Sequence, residues 1–287
     1  MFYHFPGIDW PTPYGVMLAI ACVAAWWLAR HRASPRGLDP SHVDFALPLA
    51  FVGGVCAARV LVAIVPEERL LAGTALLAEE RARLPALAMA GLLVLFLYCR
   101  VAGQSFRRLA DAFAPAALLW VAILRIGCFL AGCCFGDLAA TVARLDAVAD
   151  ARLRLQVQTL PALFTAGMPW AVRFPADSFV YRQHLALGLI DSDATASLPV
   201  HPVQLYESAA ALLLCFALLR RRAASRRPGT EALTAFAGYA AIAFALQFLR
   251  ADNALLLGPL TGNQLIYLGW LAAVPLLAVL PPKSRTG

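Results

Sequence analysis

Ala112-Phe113-Ala114-Pro115-Ala116-Ala117-Leu118-Leu119-Trp120-Val121-Ala122-Ile123-Leu124-Arg125-Ile126-Gly127-Cys128-Phe129-Leu130-Ala131-Gly132 is a run of twenty-one residues that holds one charge. A helix of that length rises about 30 Å, the thickness of a bilayer's hydrocarbon core. Its charge, Arg125, stands near the end of the run. Ionisable groups at membrane depth are expensive and mark functional positions by default. The run therefore predicts a membrane-spanning helix with a binding residue close to one mouth.

Six further apolar intervals surround it, at roughly 14–29, 45–64, 86–101, 203–219, 232–249 and 263–280. With 61% hydrophobic and 14% charged residues and a mean hydropathy of +0.70, the chain is too apolar for an ordinary soluble domain. The fold class that follows is an all-α integral membrane protein with seven transmembrane helices. A net charge of +7 could suggest nucleic acid. The basic residues, however, lie in short clusters between apolar runs, the pattern that sets orientation and contacts anionic headgroups. Lys and Arg number thirteen in the segments around Arg30–Arg36, Arg100–Arg108, Arg220–Arg227 and the tail, against four in the opposite short segments. The positive-inside rule then puts the N-terminus outside and the C-terminus in the cytoplasm. Met1-Phe2-Tyr3-His4-Phe5 carries no basic stretch of the kind that begins a cleavable signal peptide.

The interval 137–200 breaks this pattern. It is more polar and contains Pro161, Pro169, Pro175 and Pro199. It reads as a small extracytoplasmic head between helices four and five. The chain thus divides into 1–136 (helices one to four), 137–200 (head) and 201–287 (helices five to seven and a cytoplasmic tail). A helix is expected over 138–157, then loops or short strands set by the proline spacing.

Two polar constellations flank the head. Arg125 is followed by Gly127, Gly132 and Gly136. Glycine lets a ligand or backbone approach and lets a helix break, and the Arg guanidinium is a planar fork suited to phosphate. On the far side stands His201-Pro202-Val203-Gln204-Leu205-Tyr206-Glu207-Ser208. Pro202 suits the first position of a helix, with His201 at its cap. Gln204, Glu207 and Ser208 then share a face, while Tyr206 points elsewhere. An Arg beside a His/Glu/Tyr/Gln set can bind a phosphate headgroup and move a proton.

Of seven cysteines, Cys22, Cys56, Cys99 and Cys215 lie within apolar stretches and read as small packing residues. Cys128, Cys133 and Cys134 cluster beside Arg125. In a continuous helix Cys128 and Cys133 share no clean face, and only a break at Gly132 would change that. Packing, a nucleophilic or redox-active thiol, and a metal site all remain open; the spacing is not diagnostic of a metal, even with His184 or His201 recruited.

His201-Pro-Val-Gln-Leu-Tyr-Glu207 and Arg125-Ile-Gly127…Gly132…Gly136 together resemble the prolipoprotein diacylglyceryl transferase family. The similarity extends to Ser105-Phe106, Asp111, Ala114-Pro115, Tyr14-Gly15, Arg59, Tyr239, Arg250 and Gln264. The resemblance implies an enzyme of the bacterial inner membrane that moves the diacylglyceryl group of phosphatidylglycerol, or a similar anionic phospholipid, onto the thiol of a prolipoprotein lipobox cysteine. It implies no metal and no diffusible cofactor. Arg125, with Arg59 and Arg250, would hold the phosphate; Tyr14, Gln204, Gly127, Gly132 and Gly136 would complete the substrate site. His201, Tyr206, Glu207, Tyr239, Cys128 and Cys133 are the candidates for the chemistry. The chain departs from the family pattern where Met89-Ala90-Gly91-Leu92 replaces the usual His-Gly-Gly-Leu. It departs again where Cys128, Ala131 and Cys133 replace two Asn and a Glu, and where Ala243 and Gln247 replace an Arg and a Glu. A membrane thiol oxidoreductase built on Cys128, Cys133 and Cys134, or a non-catalytic lipid-binding relative, are the alternative readings.

Overall fold

The computed structural model describes residues 12–64, 83–139, 170–176, 178–220, 227–250, 255–257 and 259–279. Helices occupy each apolar interval: α1 (Pro13–Ala33), α2 (Ser41–Ile64), α3 (Arg83–Val101), α4 (Phe106–Ala131), α6 (Val203–Leu219), α7 (Thr230–Leu246) and α8 (Gly262–Val279), with a short α5 (Phe179–Ala186) between α4 and α6. Among the described residues, three helical stretches, Pro13–Arg36, Phe106–Ala131 and Thr230–Leu249, are long and apolar enough to cross a membrane by length and composition alone. The described chain is mostly rather than wholly helical. A two-stranded antiparallel pair, β1 (Leu255–Leu257) with β2 (Leu260–Thr261), precedes α8.

The chain forms two compact units, one of Met1–Val23, Leu118–Cys215 and Ala237–Val274, the other of Ala24–Ala117, Phe216–Phe236 and Pro275–Gly287. Within the first, Phe135, Leu138, Phe174, Val180, Leu189 and Val200 bury one another, with Phe129, Val172, Leu187 and Leu198 packed around them. Single antiparallel bridges, Leu138 with Val200, Val172 with Val200 and Pro175 with Ala196, stitch this part. The short strands expected from the proline spacing are thus reduced to bridges. The helix α5 was not expected there: it is only 8 residues long, and Ser178 caps it by accepting from the Tyr181 N–H at 3.2 Å. The helix expected over 138–157 falls on residues outside the described set from 140 onward.

At the start of α8, Gln264 Oε1 accepts from the Thr261 N–H at 2.8 Å while Thr261 Oγ1 accepts from the Gln264 N–H at 3.3 Å. This reciprocal pair is a capping box, with glutamine as the third residue after the cap.

The second unit is tied by ion pairs and caps. Arg32 and Arg36 both donate to Glu231 Oε2, at 2.6 and 2.5 Å. Asp111, buried on α4, accepts from the Gly229 N–H at 2.7 Å and the Ala232 N–H at 2.9 Å, so it caps the start of α7 from another helix. Arg30 pairs with Asp44, which also accepts from Trp26 Nε1 at 2.8 Å. A β-carbon on Gly53 of α2 would lie 2.7 Å from the Val94 side chain of α3, so these helices meet where only glycine fits.

Candidate functional site

The first unit brings the two constellations together. Arg125, on the last turns of α4, meets Glu207 of α6: Nη2 donates to Oε1 at 2.9 Å. Tyr239 of α7 donates to the same Oε1 at 2.6 Å. Glu207 keeps 4% of its side-chain surface and Arg125 keeps 21%, so the carboxylate is enclosed while the Arg125 side chain is partly exposed. A carboxylate that accepts two charge-assisted or phenolic hydrogen bonds is well compensated in a low-dielectric setting. Arg has five N–H donors, and the pair uses one of them.

The face expected on α6 forms. Gln204, Glu207 and Ser208 are buried and Tyr206 is half-buried. Gln204 Nε2 donates to the Cys133 carbonyl at 2.7 Å, and Ser208 Oγ donates to the Ala122 carbonyl at 2.7 Å. Tyr206 Oη lies 3.5 Å from His201 Nδ1, with the rings edge to face. Pro202 stands one place earlier than expected: its carbonyl accepts from the Tyr206 N–H at 3.3 Å, which makes it the cap residue of α6.

The three glycines do local work. On Gly127 a β-carbon would be 3.0 Å from Met17 Cβ and 3.5 Å from Tyr14 Cδ2, so α1 packs against α4 there and Tyr14 sits beside Arg125's helix. Gly136 is tighter. A β-carbon would lie 2.5 Å from Val203 and 2.7 Å from the His201 carbonyl, because the chain leaving α4 runs against the chain entering α6. Gly136 N–H donates to the His201 carbonyl at 2.9 Å and His201 N–H donates to the Asp137 carbonyl at 3.0 Å. Gly136 also forms an isolated backbone β-bridge with Arg250. On their β-carbon sides the three glycines face protein, not open space for a ligand.

Gly132 ends α4 with a left-handed φ of 69°. Its N–H donates to the Phe129 carbonyl and the Cys133 N–H to the Cys128 carbonyl, both at 3.1 Å. These two bonds make a Schellman motif, which folds the second residue past the helix back over the last turn. The break that sequence reasoning left conditional is therefore present. Cys128, Cys133 and the following Cys134 hold their sulfur atoms within 4.8 Å of one another.

Asp137 is a residue sequence reasoning missed. It is 4% exposed, burial pushes its carboxyl above the usual range, and the Leu138 N–H and the nearby His201 act the other way. The available signal was its place directly after the glycine motif, opposite His201. Gln264 and Gln247 join Gln204 as buried amides: Gln204 Oε1, Gln247 Nε2 and Gln264 Nε2 have no hydrogen-bond partner among the described residues. The side chains of Arg59 and Met89 lie outside the described set.

The sequence model of the family described as prolipoprotein diacylglyceryl transferase matches residues 7–280. A protein of Clostridium tetani named phosphatidylglycerol–prolipoprotein diacylglyceryl transferase is 28% identical over 125 residues, 43% of this chain and 50% of that protein. One of the same name from Rhodopirellula baltica is 28% identical over 185 residues, 61% of this chain and 32% of its own length. A protein of Clostridium perfringens named phosphatidylglycerol–prolipoprotein diacylglyceryl transferase 2 is 23% identical over 256 residues, 88% of this chain and 84% of that protein. The chain thus spans about half the length, or less, of the first two relatives and most of the third.

Proposed function

Because the chain belongs to the prolipoprotein diacylglyceryl transferase family, we propose that it transfers the diacylglyceryl group of phosphatidylglycerol to a lipobox cysteine of a prolipoprotein. It does so in the bacterial inner membrane, with seven spans, residues 137–200 as an extracytoplasmic head, the N-terminus outside and the C-terminus in the cytoplasm. The observation that carries this reading is the Arg125–Glu207–Tyr239 cluster, with Glu207 enclosed and the Arg125 side chain partly exposed.

The chemistry needs three things. A carbon–sulfur bond forms as the glycerol carbon's bond to the phosphate oxygen breaks. Glycerol phosphate leaves with that electron pair, and the acceptor thiol loses its proton. Arg125 offers its remaining donors to the phosphate, where charge builds as the leaving group departs. Glu207 and Tyr239 hold the guanidinium in place, so its orientation costs nothing at the moment of reaction. Arg250, whose charge acts on Cys134 as that of Arg125 does, adds positive charge beside the cluster. His201 is buried beside Tyr206 and Asp137, and we assign it the thiol proton because an imidazole can carry one near neutral pH. A thiol is mostly protonated near pH 7, so this step matters. Gln204 Oε1 as an acceptor, and Gln247 Nε2 and Gln264 Nε2 as donors, are the unpaired amide atoms we assign to the hydroxyl groups of the glycerol headgroup.

The test is transfer of label from headgroup-intact, acyl-labelled phosphatidylglycerol to a lipobox peptide by the purified protein. Transfer that is lost in Arg125→Gln and in a peptide with serine for cysteine is the expected result. Lipid binding without transfer in the wild type would overturn the proposal and leave a lipid-binding relative.

A further inference from the structure

The three cysteines beside Arg125 have no task in the reaction just described, and their arrangement is built rather than incidental. Cys128 occupies the last turn of α4, and the Schellman motif lays Cys133 over it, in the contact that usually joins two apolar side chains. Gln204 pins the same loop by donating to the Cys133 carbonyl at 2.7 Å. Cys134 then adopts φ of 58°, and it is the one described non-glycine residue in the left-handed region. A left-handed conformation is costly for a residue with a β-carbon. Its effect is to bring a third sulfur to the other two.

All three sulfurs lie within 4.8 Å of one another. Zinc–thiolate bonds of about 2.3 Å in a tetrahedral or trigonal arrangement put sulfurs roughly 3.8–4.0 Å apart. The trio needs only a small contraction to reach that spacing. Charge also fits. Three thiolates around a divalent cation leave a net charge of minus one, and Arg125 and Arg250 both act on the Cys134 position. Thiolate donors select soft d10 ions over magnesium or calcium.

We propose that Cys128, Cys133 and Cys134 form a three-thiolate site for Zn2+, with a fourth coordination position left open. Binding replaces three thiol protons, which pass to solvent, by one cation; no electrons move. Among the described residues no other His, Cys, Asp or Glu joins the group. The site sits at the edge of the phosphate-binding cluster without using any of its residues.

The experiment uses full-length, fully reduced protein in detergent, equilibrated with Zn2+ or with Cd2+ as a spectroscopic probe and then dialysed. One cation per chain should be retained, and Cd2+ should give a sulfur-to-metal charge-transfer band that saturates at one equivalent. The band should vanish in the Cys128→Ser/Cys133→Ser/Cys134→Ser variant. It should persist in a variant with Cys22, Cys56, Cys99 and Cys215 all replaced by serine. Should the first variant fail to fold, alkylation mapping of the wild type decides: Cd2+ should protect Cys128, Cys133 and Cys134 and no others. A cation retained equally without the trio, protection elsewhere, no retention by reduced wild type, or a Cys128–Cys133 disulfide that survives reduction would each overturn the proposal.

Discussion

Glu207→Gln isolates what the carboxylate does for Arg125. The amide keeps the shape and can still accept from Tyr239, but the guanidinium loses its counter-charge. Removing one member of a buried pair costs about 3–5 kcal/mol. Glu207 is enclosed at 4% exposure while Arg125 keeps 21%, which lets some solvent or lipid headgroup reach the cation. The expected loss is therefore near the bottom of that range, about 3 kcal/mol. Tyr239→Phe removes a hydrogen bond to a charged acceptor at 2.6 Å, worth about 2 kcal/mol. Because both substitutions act on one oxygen, the double variant should fall short of their sum by about 1 kcal/mol. The assay is equilibrium unfolding in mixed micelles, run with and without phosphatidylglycerol. The lipid phosphate can replace the missing carboxylate as partner to Arg125. Glu207→Gln should then gain more from phosphatidylglycerol than the wild type does, by roughly 1.4 kcal/mol if its affinity rises tenfold. A variant within about 0.5 kcal/mol of wild type refutes the energetic argument. Equal lipid stabilisation of both proteins refutes the assignment of Arg125 to the phosphate.

Two more perturbations probe the surroundings. His184 is buried, its Nδ1 accepts from the Leu198 N–H at 3.2 Å, and burial pushes its pKa down to about 4. A depressed histidine pKa means that the unfolded chain binds the proton first. Stability is thus complete above about pH 6.5 and lost as pH falls towards about 4, by roughly 3 kcal/mol. Protection factors of α5 and its neighbours, which remove the pH dependence of intrinsic amide exchange, should fall as pH drops across that window, and His184→Gln should flatten the dependence; unchanged protection factors would count against it. Gly136→Ala forces a methyl to within 2.5 Å of Val203 and against the His201 carbonyl. Backbone cannot yield as a side-chain tip can, so a loss of at least about 3 kcal/mol and a displaced His201 are expected. A fully active, equally stable variant would show the chain crossing to be looser than described.

The apolar intervals were legible because bilayer thickness fixes a length and a composition together, and each interval proved to hold a helix. Arg125 stood out because a single charge in such a run has few structural excuses. The face of Gln204, Glu207 and Ser208 was legible from helical spacing, but their partners were not. Asp111 caps a helix from far away in the chain, accepting from a Gly229 N–H that lies 118 residues later. The α5 helix was missed because 8 residues among prolines carry no usable period. Whether the cysteines meet stayed conditional in the sequence, because helical geometry separates Cys128 from Cys133 unless the helix breaks at Gly132. A left-handed residue reverses the chain there and changes which side chains meet. The Thr261–Gln264 capping box was written in the sequence at its usual spacing and marks the start of α8.

The hydrogen-bonded chain crossing at Gly136 and His201 has a consequence for how this chain tolerates change. The 64 residues from Asp137 to Val200 leave and re-enter at one place, fastened by reciprocal hydrogen bonds between Gly136, Asp137 and His201, with Ala139 donating to the Pro199 carbonyl at 2.9 Å just beyond. For a loop whose ends are already joined, doubling its length costs only about 0.6 kcal/mol of closure entropy. The segment is therefore a cassette on a fixed clasp. Its contents can lengthen, shorten or be exchanged while the spacing between Arg125 and Glu207 is kept.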